Sequence, residues 1–322
     1  MNGIKAAFFL VLASLLLVAI GCGESEPPSP TTVPATATPT QVAATPTATP
    51  VPSPTAIPDF PLTLMDSNGN EVVFDSPPER IIAYDSAVVE ILFAIGEGER
   101  VIGTHDFVSH PPEAADIPRL GSAFNIDIEA AVAMEPDLVF VFSPTFLEQL
   151  ENVGLKVLYL ESLQDDFIKV ADNIRLWGRI IGNQDGAEAA AVEFESRVRK
   201  VVETMSGAGE GPRVFQDEGD LWTPGPDTLI AEVFEVLNML NIAHDISGYA
   251  QLSPEIIVER DPQVIIASYG DGISGNPAFA DVSAVKNGRI FVPSSDALSI
   301  AGPRFVEGIE ELAKWVYPDL FD

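Results

Sequence analysis

Apolar and polar positions along this chain alternate at two periods. Runs that are apolar at almost every position, RIIAY (80–84), RVIG (100–103), DLVFVF (137–142) and KVLYL (156–160), read as strands buried on both faces. Between them, residues 86–96, 128–134 and 145–152 repeat apolar side chains at helical spacing. Before them, LTLMDSNGNEVVFD (62–75) reads as a hairpin turning at Asn68-Gly69. Residues 165–206 are helical in pattern, with a break at Gly182-Asn183. After Pro212 the alternation restarts with RVFQ (213–216), a helix near 227–240, QVIIAS (263–268), RIFV (289–292) and a last helix near 302–316. Strands alternating with helices imply parallel sheets.

The two halves repeat a motif. IEAAVAMEPDLVFV (128–141) and PEIIVERDPQVIIA (254–267) each place a Glu seven residues before a Pro, with an acidic or amide residue and a buried strand after it. The expected fold class is therefore α/β: two lobes with mainly parallel sheets, bridged by the helix of 184–206. The N-terminal lobe is expected over 59–164, the bridging helical segment over 165–211 and the C-terminal lobe over 212–322.

The first 58 residues follow neither period. Residues 1–21 carry one charge, Lys5, then the apolar run 6–21, the layout of an export signal and short for a membrane span. The run stops at Gly21-Cys22-Gly23, which resembles the lipobox of bacterial lipoproteins; this implies lipidation of Cys22, the single cysteine. An uncleaved anchor helix would leave the chain on the same side of the membrane. Residues 22–58 are rich in Thr, Pro and Ala and lack the apolar mass to fold, so a disordered spacer is expected. Extended at roughly 3 Å per residue, it would reach on the order of 100 Å. The net charge of −31 argues against nucleic acid or anionic lipid headgroups as ligands.

The segment PPERIIAYDSAVVEILFAIGEGERVIGTHDFVSHPPEAADIPRLG (77–121), the Glu–Pro strand motif and AVKNGRIFVPSSDALSIAGPR (284–304) resemble the substrate-binding proteins of ABC importers for cobalamin, ferric siderophores and haem. The resemblance implies a ligand cleft between the lobes and limited hinge motion. It also implies that Glu129 and Glu255, one per lobe, pair with Arg residues of a membrane permease dimer driven by a cytoplasmic ATPase. Asp127 and Ser253 are the expected N-caps of the two Glu-bearing helices.

Candidate ligand contacts follow the expected strands: Tyr84 and Asp85, His105 and Phe107, Phe124, Trp222, Tyr249 and Asp296. In cobalamin-binding relatives, aromatics at the positions of Phe107, Trp222 and Tyr249 line the cleft, and the loop from Asp296 to Ile300 touches the ligand. Arg304 also fits the family pattern. Anionic siderophores call for several cationic cleft residues, and Arg304 is the one obvious candidate, so the reading leans to a corrinoid. His105 keeps a haem reading open as an iron ligand. His105, His110 and His244 are too scattered for a zinc site. No cofactor is expected, and no Gly-x-Ser-x-Gly, phosphate loop or HExxH supports an enzyme. The expectation is a monomeric, lipid-anchored extracytoplasmic capture protein. A surface adhesion or sensing module of the same fold is the alternative, and it has no need of the paired Glu residues.

Overall fold

The computed structural model describes residues 60–122, 124–163, 166–270 and 272–321; the export signal, Cys22 and the spacer lie outside them. The chain enters through β1 (Leu62–Met65) and β2 (Glu71–Phe74), paired antiparallel with Leu62 opposite Phe74. The turn is longer than a two-residue hairpin. Asp66 accepts from the N–H groups of Asn68 and Asn70, and Gly69 supplies the positive φ of 82°.

The first parallel sheet follows: β3 (Ile81–Ala83), α1 (Ser86–Ala94) and β4 (Val101–Thr104). A small ribbon, β5 (Gly121–Ser122) with β6 (Asn125–Ile126), leads into α2 (Ile128–Ala133). The lobe finishes with β7 (Leu138–Val141), α3 (Leu147–Asn152) and β8 (Val157–Tyr159). Strand order is β4-β3-β7-β8, all parallel.

Helices α4 (Lys169–Ile181) and α5 (Gln184–Met205) then carry the chain across. Gly182 ends α4 in the left-handed region, at φ 79°, and Asn183 caps α5 by accepting from the Gly186 N–H. The Asn183 amide also donates to the Ile95 carbonyl and to Glu97, fixing the corner against the end of α1.

The second half repeats the plan: β9 (Arg213–Asp217), β10 (Trp222–Pro224), α6 (Leu229–Val236), β11 (Leu240–Asn241), β12 (Tyr249–Gln251), α7 (Pro254–Arg260) and β13 (Val264–Ala267). Helix α8 (Ser283–Lys286), β14 (Ile290–Phe291) and α9 (Phe305–Val316) complete it. The sheet order β11-β9-β13-β14 has the same topology as the first, and β10 pairs with β12 in a separate antiparallel ribbon. The helix expected near 227–240 is shorter, because Leu240 and Asn241 pair with β9 as a strand.

The repeat extends to individual hydrogen bonds. The Arg80 N–H donates to Asp137, and its guanidinium to the carbonyls of Met134 and Glu135 at the end of α2. In the second half, the Arg213 N–H donates to Gln263, and its guanidinium to the carbonyls of Arg260 and Asp261 at the end of α7. Glu135 and Asp261, each just before a Pro, both take positive φ, 48° and 43°. In each half an Arg at the start of the first parallel strand, Arg80 just before β3 and Arg213 opening β9, thus neutralises the carbonyl end of the Glu-bearing helix.

One apolar core runs beneath both sheets. It joins Val88, Ile91 and Leu92 of α1 to Trp177 of α4, Phe194 of α5, Phe234 of α6 and Phe305 of α9. Each sheet has its own outer cluster, around Tyr84 and Val139 in one and Phe215 and Ile265 in the other. The α4–α5 pair is tight because Gly178 has no side chain: a Cβ there would lie 2.2 Å from that of Ala187. Gly178→Val should therefore push the two helices apart and cost about 2 kcal/mol or more, read as a lower urea midpoint at unchanged slope. A midpoint equal to wild type would show that the helices have slack at this contact.

Candidate functional site

The chain order of each sheet reverses direction between its first strand and its third, β3 and β7 in one, β9 and β13 in the other. Loops leave such a point on opposite sides and open a crevice at the carboxyl ends of the strands. Here the two crevices share one cleft of about 590 Å³. Asp85 and Ser86 after β3 and Phe142 after β7 enter it from one side. Gln216 and Glu218 at the end of β9 and Tyr269 after β13 enter it from the other. Asn173 and Trp177 of α4 line it between them, and Leu298 to Ala301 close one flank.

The cleft combines apolar walls with acidic charges. Trp177, Phe140, Phe142, Leu160 and Ile230 give it greasy walls. Its charged lining residues are Asp85, Glu161 and Glu218, with no Lys or Arg among the described ones. Burial pushes the Asp85 carboxyl up, opposed by the Val88 and Ala87 N–H groups at the start of α1, where Asp85 is the N-cap. His105 is neutral. Burial first, then the positive charge of Arg119, lowers it to about 4. Its Nδ1 accepts from the Phe107 N–H, so Nε2 carries the proton and donates to Ser86 Oγ at 3.1 Å.

Of the residues expected from sequence, the cleft brings together Asp85, His105 and Tyr249. Tyr84 lies in the core, 1% exposed. It packs with Ile82 and Val139 and donates its hydroxyl to the Leu120 carbonyl, because β3 is buried on both faces as far as its end. Phe107, Phe124 and Trp222 lie outside the cleft lining, with 68%, 82% and 46% of their surface exposed. Phe124 sits in the turn of the β5–β6 ribbon, and Trp222 begins β10.

Neither Asp296 nor Arg304 lines the cleft. The Arg304 guanidinium is buried and spans Glu90 at 2.5 Å and Asp296 at 2.8 Å, while Asp296 accepts from Ser109 Oγ at 2.5 Å. Glu90 and Ser109 belong to the first half of the chain, Asp296 and Arg304 to the second, so this cluster ties the halves together. Burial pushes the Glu90 carboxyl up to about 7 against the pull of Arg304. Burial also acts upward on Asp296, but hydrogen bonds from Ser109 and Arg304 hold it below the usual carboxylate range.

Glu129 and Glu255 are exposed on the first turns of α2 and α7. The Asp127 carboxylate caps α2 through the Ala130 N–H. Ser253 occupies the cap of α7 without a side-chain bond to the backbone; its hydroxyl instead donates to Glu255 and lowers that carboxyl. Sequence reasoning missed Gln216, Glu218 and Tyr269. Their signal was available, since each stands at or just past the end of an apolar strand run at a reversal point. Among the described residues no cluster could hold a metal ion, and no helix is long and apolar enough to cross a membrane.

The pattern of one protein family, described as periplasmic binding protein, matches residues 81–297, which spans both sheets and the helices between them. The chain belongs to this family. The family is of a substrate-binding type, in keeping with a cleft framed by strand ends. The chain is 28% identical over 277 residues to an ABC transporter substrate-binding lipoprotein of Bacillus subtilis, covering 81% of this chain and 87% of that one. It is 28% identical over 276 residues to a cobalamin-binding protein of Halobacterium salinarum, covering 79% and 73%. The periplasmic vitamin B12 binding protein of Vibrio cholerae superposes with a TM-score of 0.67 at 25% identity, covering 75% of this chain and 98% of that one.

The depressed histidine gives this periplasmic binding protein an acid-sensitive fold. Unfolded His105 would take a proton at its ordinary value of 6.5, whereas the folded one resists until about 4. The stability it contributes is complete above that ordinary value and is lost as pH falls through this window, by up to about 3 kcal/mol. Urea unfolding of wild type and His105→Gln at neutral and mildly acidic pH checks this. The variant should lose less stability on acidification, and an equal loss in both proteins would remove His105 as the source.

Proposed function

We propose that this protein captures a corrinoid outside the cell membrane and delivers it to an ABC importer permease, tethered through lipidated Cys22. The observation that carries the reading is the chemistry of the cleft. Aromatic and aliphatic walls suit a large macrocycle, and the polar rim offers carboxylates, hydroxyls and amides in place of cations. A corrin ring carries a periphery of neutral amides, whose N–H groups need acceptors of this kind. Carboxylate or catecholate siderophores would meet Asp85, Glu161 and Glu218 with no compensating Lys or Arg in the described lining. Haem would bring two carboxylates into the same field, and the His105 Nε2 it would need is already engaged with Ser86. The names of the Halobacterium and Vibrio relatives support the same choice.

Titration of the full-length chain with cobalamin, haem and ferric siderophores tests it. Trp177 in the cleft wall should report binding by quenching of its emission. Saturable quenching by cobalamin at micromolar concentration or below is expected, with haem and anionic siderophores at least tenfold weaker. Silence toward cobalamin by both fluorescence and calorimetry overturns the corrinoid assignment.

Glu129 and Glu255 serve as the permease contacts in this reading. Both are exposed, both open a short helix, and the two helices are held by matching Arg80 and Arg213 bonds. Charge pairs at such points set register and encounter rate. The double variant Glu129→Arg/Glu255→Arg should abolish uptake in cells while ligand affinity stays within about twofold of wild type. Uptake at the wild-type rate would remove the two carboxylates from the docking role.

A further inference from the structure

The second-half wall of the cleft is built around one carboxylate. Gln216, almost fully buried at the end of β9, donates its amide N–H to Glu218 and to Ser268 Oγ, and Ser268 donates to the same Glu218 oxygen at 3.0 Å. The chain is held here by the sheet, because the Ser268 N–H donates to the Asp217 carbonyl and Asp217 caps the following turn through Gly219 and Leu221. Glu218 therefore has a fixed position, and no Lys or Arg among the described lining residues neutralises it. The Gln216 side-chain oxygen is buried without a hydrogen-bond partner, on a residue that lines the same cleft.

Two tyrosines complete the wall. Tyr249 and Tyr269 line the cleft with 54% and 76% of their surface exposed, an unusual state for large aromatics with no core to fill. The Tyr269 ring packs beside the turn after Glu218, 3.8 Å from the place a Gly219 Cβ would occupy. After the effect of burial, the Glu218 charge is the next influence raising both phenols, which puts all three groups in one electrostatic neighbourhood. A carboxylate with two tyrosines in its electrostatic neighbourhood and an unpartnered buried oxygen beside it is a set of groups that attracts positive charge. Among the described residues lining the cleft, no Lys or Arg stands ready to pair with an anion.

We propose that this wall is a subsite for a positively charged ligand: Glu218, seated by Gln216 and Ser268 and flanked by Tyr249 and Tyr269, makes the cleft favour a cationic corrinoid over the neutral form of the same molecule. The inference rests on the corrinoid reading and adds charge selection to it. Asp85 and Glu161 across the cleft act in the same direction at longer range. The cationic centre is not required to touch Glu218; a fixed carboxylate in a partly closed cleft acts through several ångströms of low-dielectric space.

Aquocobalamin and cyanocobalamin make the comparison, since they differ by one unit of charge at an axial position and share every amide. Both are titrated into the full-length chain at mildly acidic pH, where the water ligand keeps its protons, at low and high salt. The expected result is aquocobalamin binding about fivefold to tenfold more tightly at low salt, with the ratio falling toward one at high salt and in Glu218→Gln. The absorption band of the cobalt should stay unchanged on binding. Equal affinities, or a preference that survives Glu218→Gln, overturns the proposal. So does a shifted cobalt band, which would report replacement of the water by a protein ligand. If neither cobalamin binds, the corrinoid reading falls and the charge selection falls with it. Two cobalamins bound equally would remove charge selection alone.

Discussion

The cleft depends on a core that both halves of the chain share. Helix α1 from the first sheet and helices α6 and α9 from the second pack on the α4–α5 pair, and their apolar faces form one continuous cluster. Separating the lobes would expose that cluster, at roughly 25 cal/mol for each Å² of apolar surface. Any opening motion that keeps the core intact is therefore small. The cluster of Glu90, Arg304, Asp296 and Ser109, buried at its Glu90 end and exposed at Ser109, crosses the same boundary and adds direction to it. The Arg304–Glu90 pair, shielded from water on both sides, adds little net stability, since desolvation offsets much of the attraction, but it tolerates few alternative geometries. Glu90 shows the tension: Arg304 stands against it, yet burial leaves its carboxyl raised to about 7. Apolar contact supplies the cohesion and the ion pair supplies the register.

On this frame the site follows from topology. Both sheets have the same strand order, and both reverse at the same place. The crevices face one another because the helices joining the sheets fix both to a common core. This explains why the walls are drawn from homologous positions, Asp85 after β3 and Glu218 after β9. It also explains why acceptors dominate. Side chains at strand ends can be seated by the free N–H groups of the next turn, as Asp85 is by Val88 and Asp217 by Gly219 and Leu221, so carboxylates are held there without a cation.

Most of the frame was legible in the sequence. Strands buried on both faces are apolar at every position, so IIA, LVFV, VLY and VIIA announced themselves. The Glu–Pro repeat disclosed the internal symmetry, and Gly182-Asn183 marked the break between α4 and α5. The two short ribbons went unseen, since strands of two or three residues carry no measurable period. The helix near 227–240 was drawn too long, because Leu240 suits a helix face as well as the strand it joins. The site was legible only in part. Sequence places a residue after a strand but does not say which way it turns, and for Tyr84 one position decides between core and cleft. Arg304 shows another limit: its partners Glu90 and Asp296 lie 214 and 8 positions away, and only the fold brings them together.

The charge of the whole molecule and that of its cleft point the same way. A net charge of −31 gives the protein a field that draws cations inward from solvent, and the low-dielectric walls of the cleft concentrate it there. That field would be a handicap for a carrier of anions, which would need a strongly basic cleft to overcome it. It is no handicap for a macrocycle with neutral amides and a cationic centre. The same field bears on the proposed docking. Glu129 and Glu255 stand on helices locked to the two sheets, and the sheets are locked to one core, so the spacing of the two carboxylates is a property of the frame. A partner that reads this spacing reads the fold and not its contents. Discrimination between loaded and empty protein must then arise at the cleft rim. There the ribbon carrying Tyr249 continues, within six residues, into the helix that carries Glu255.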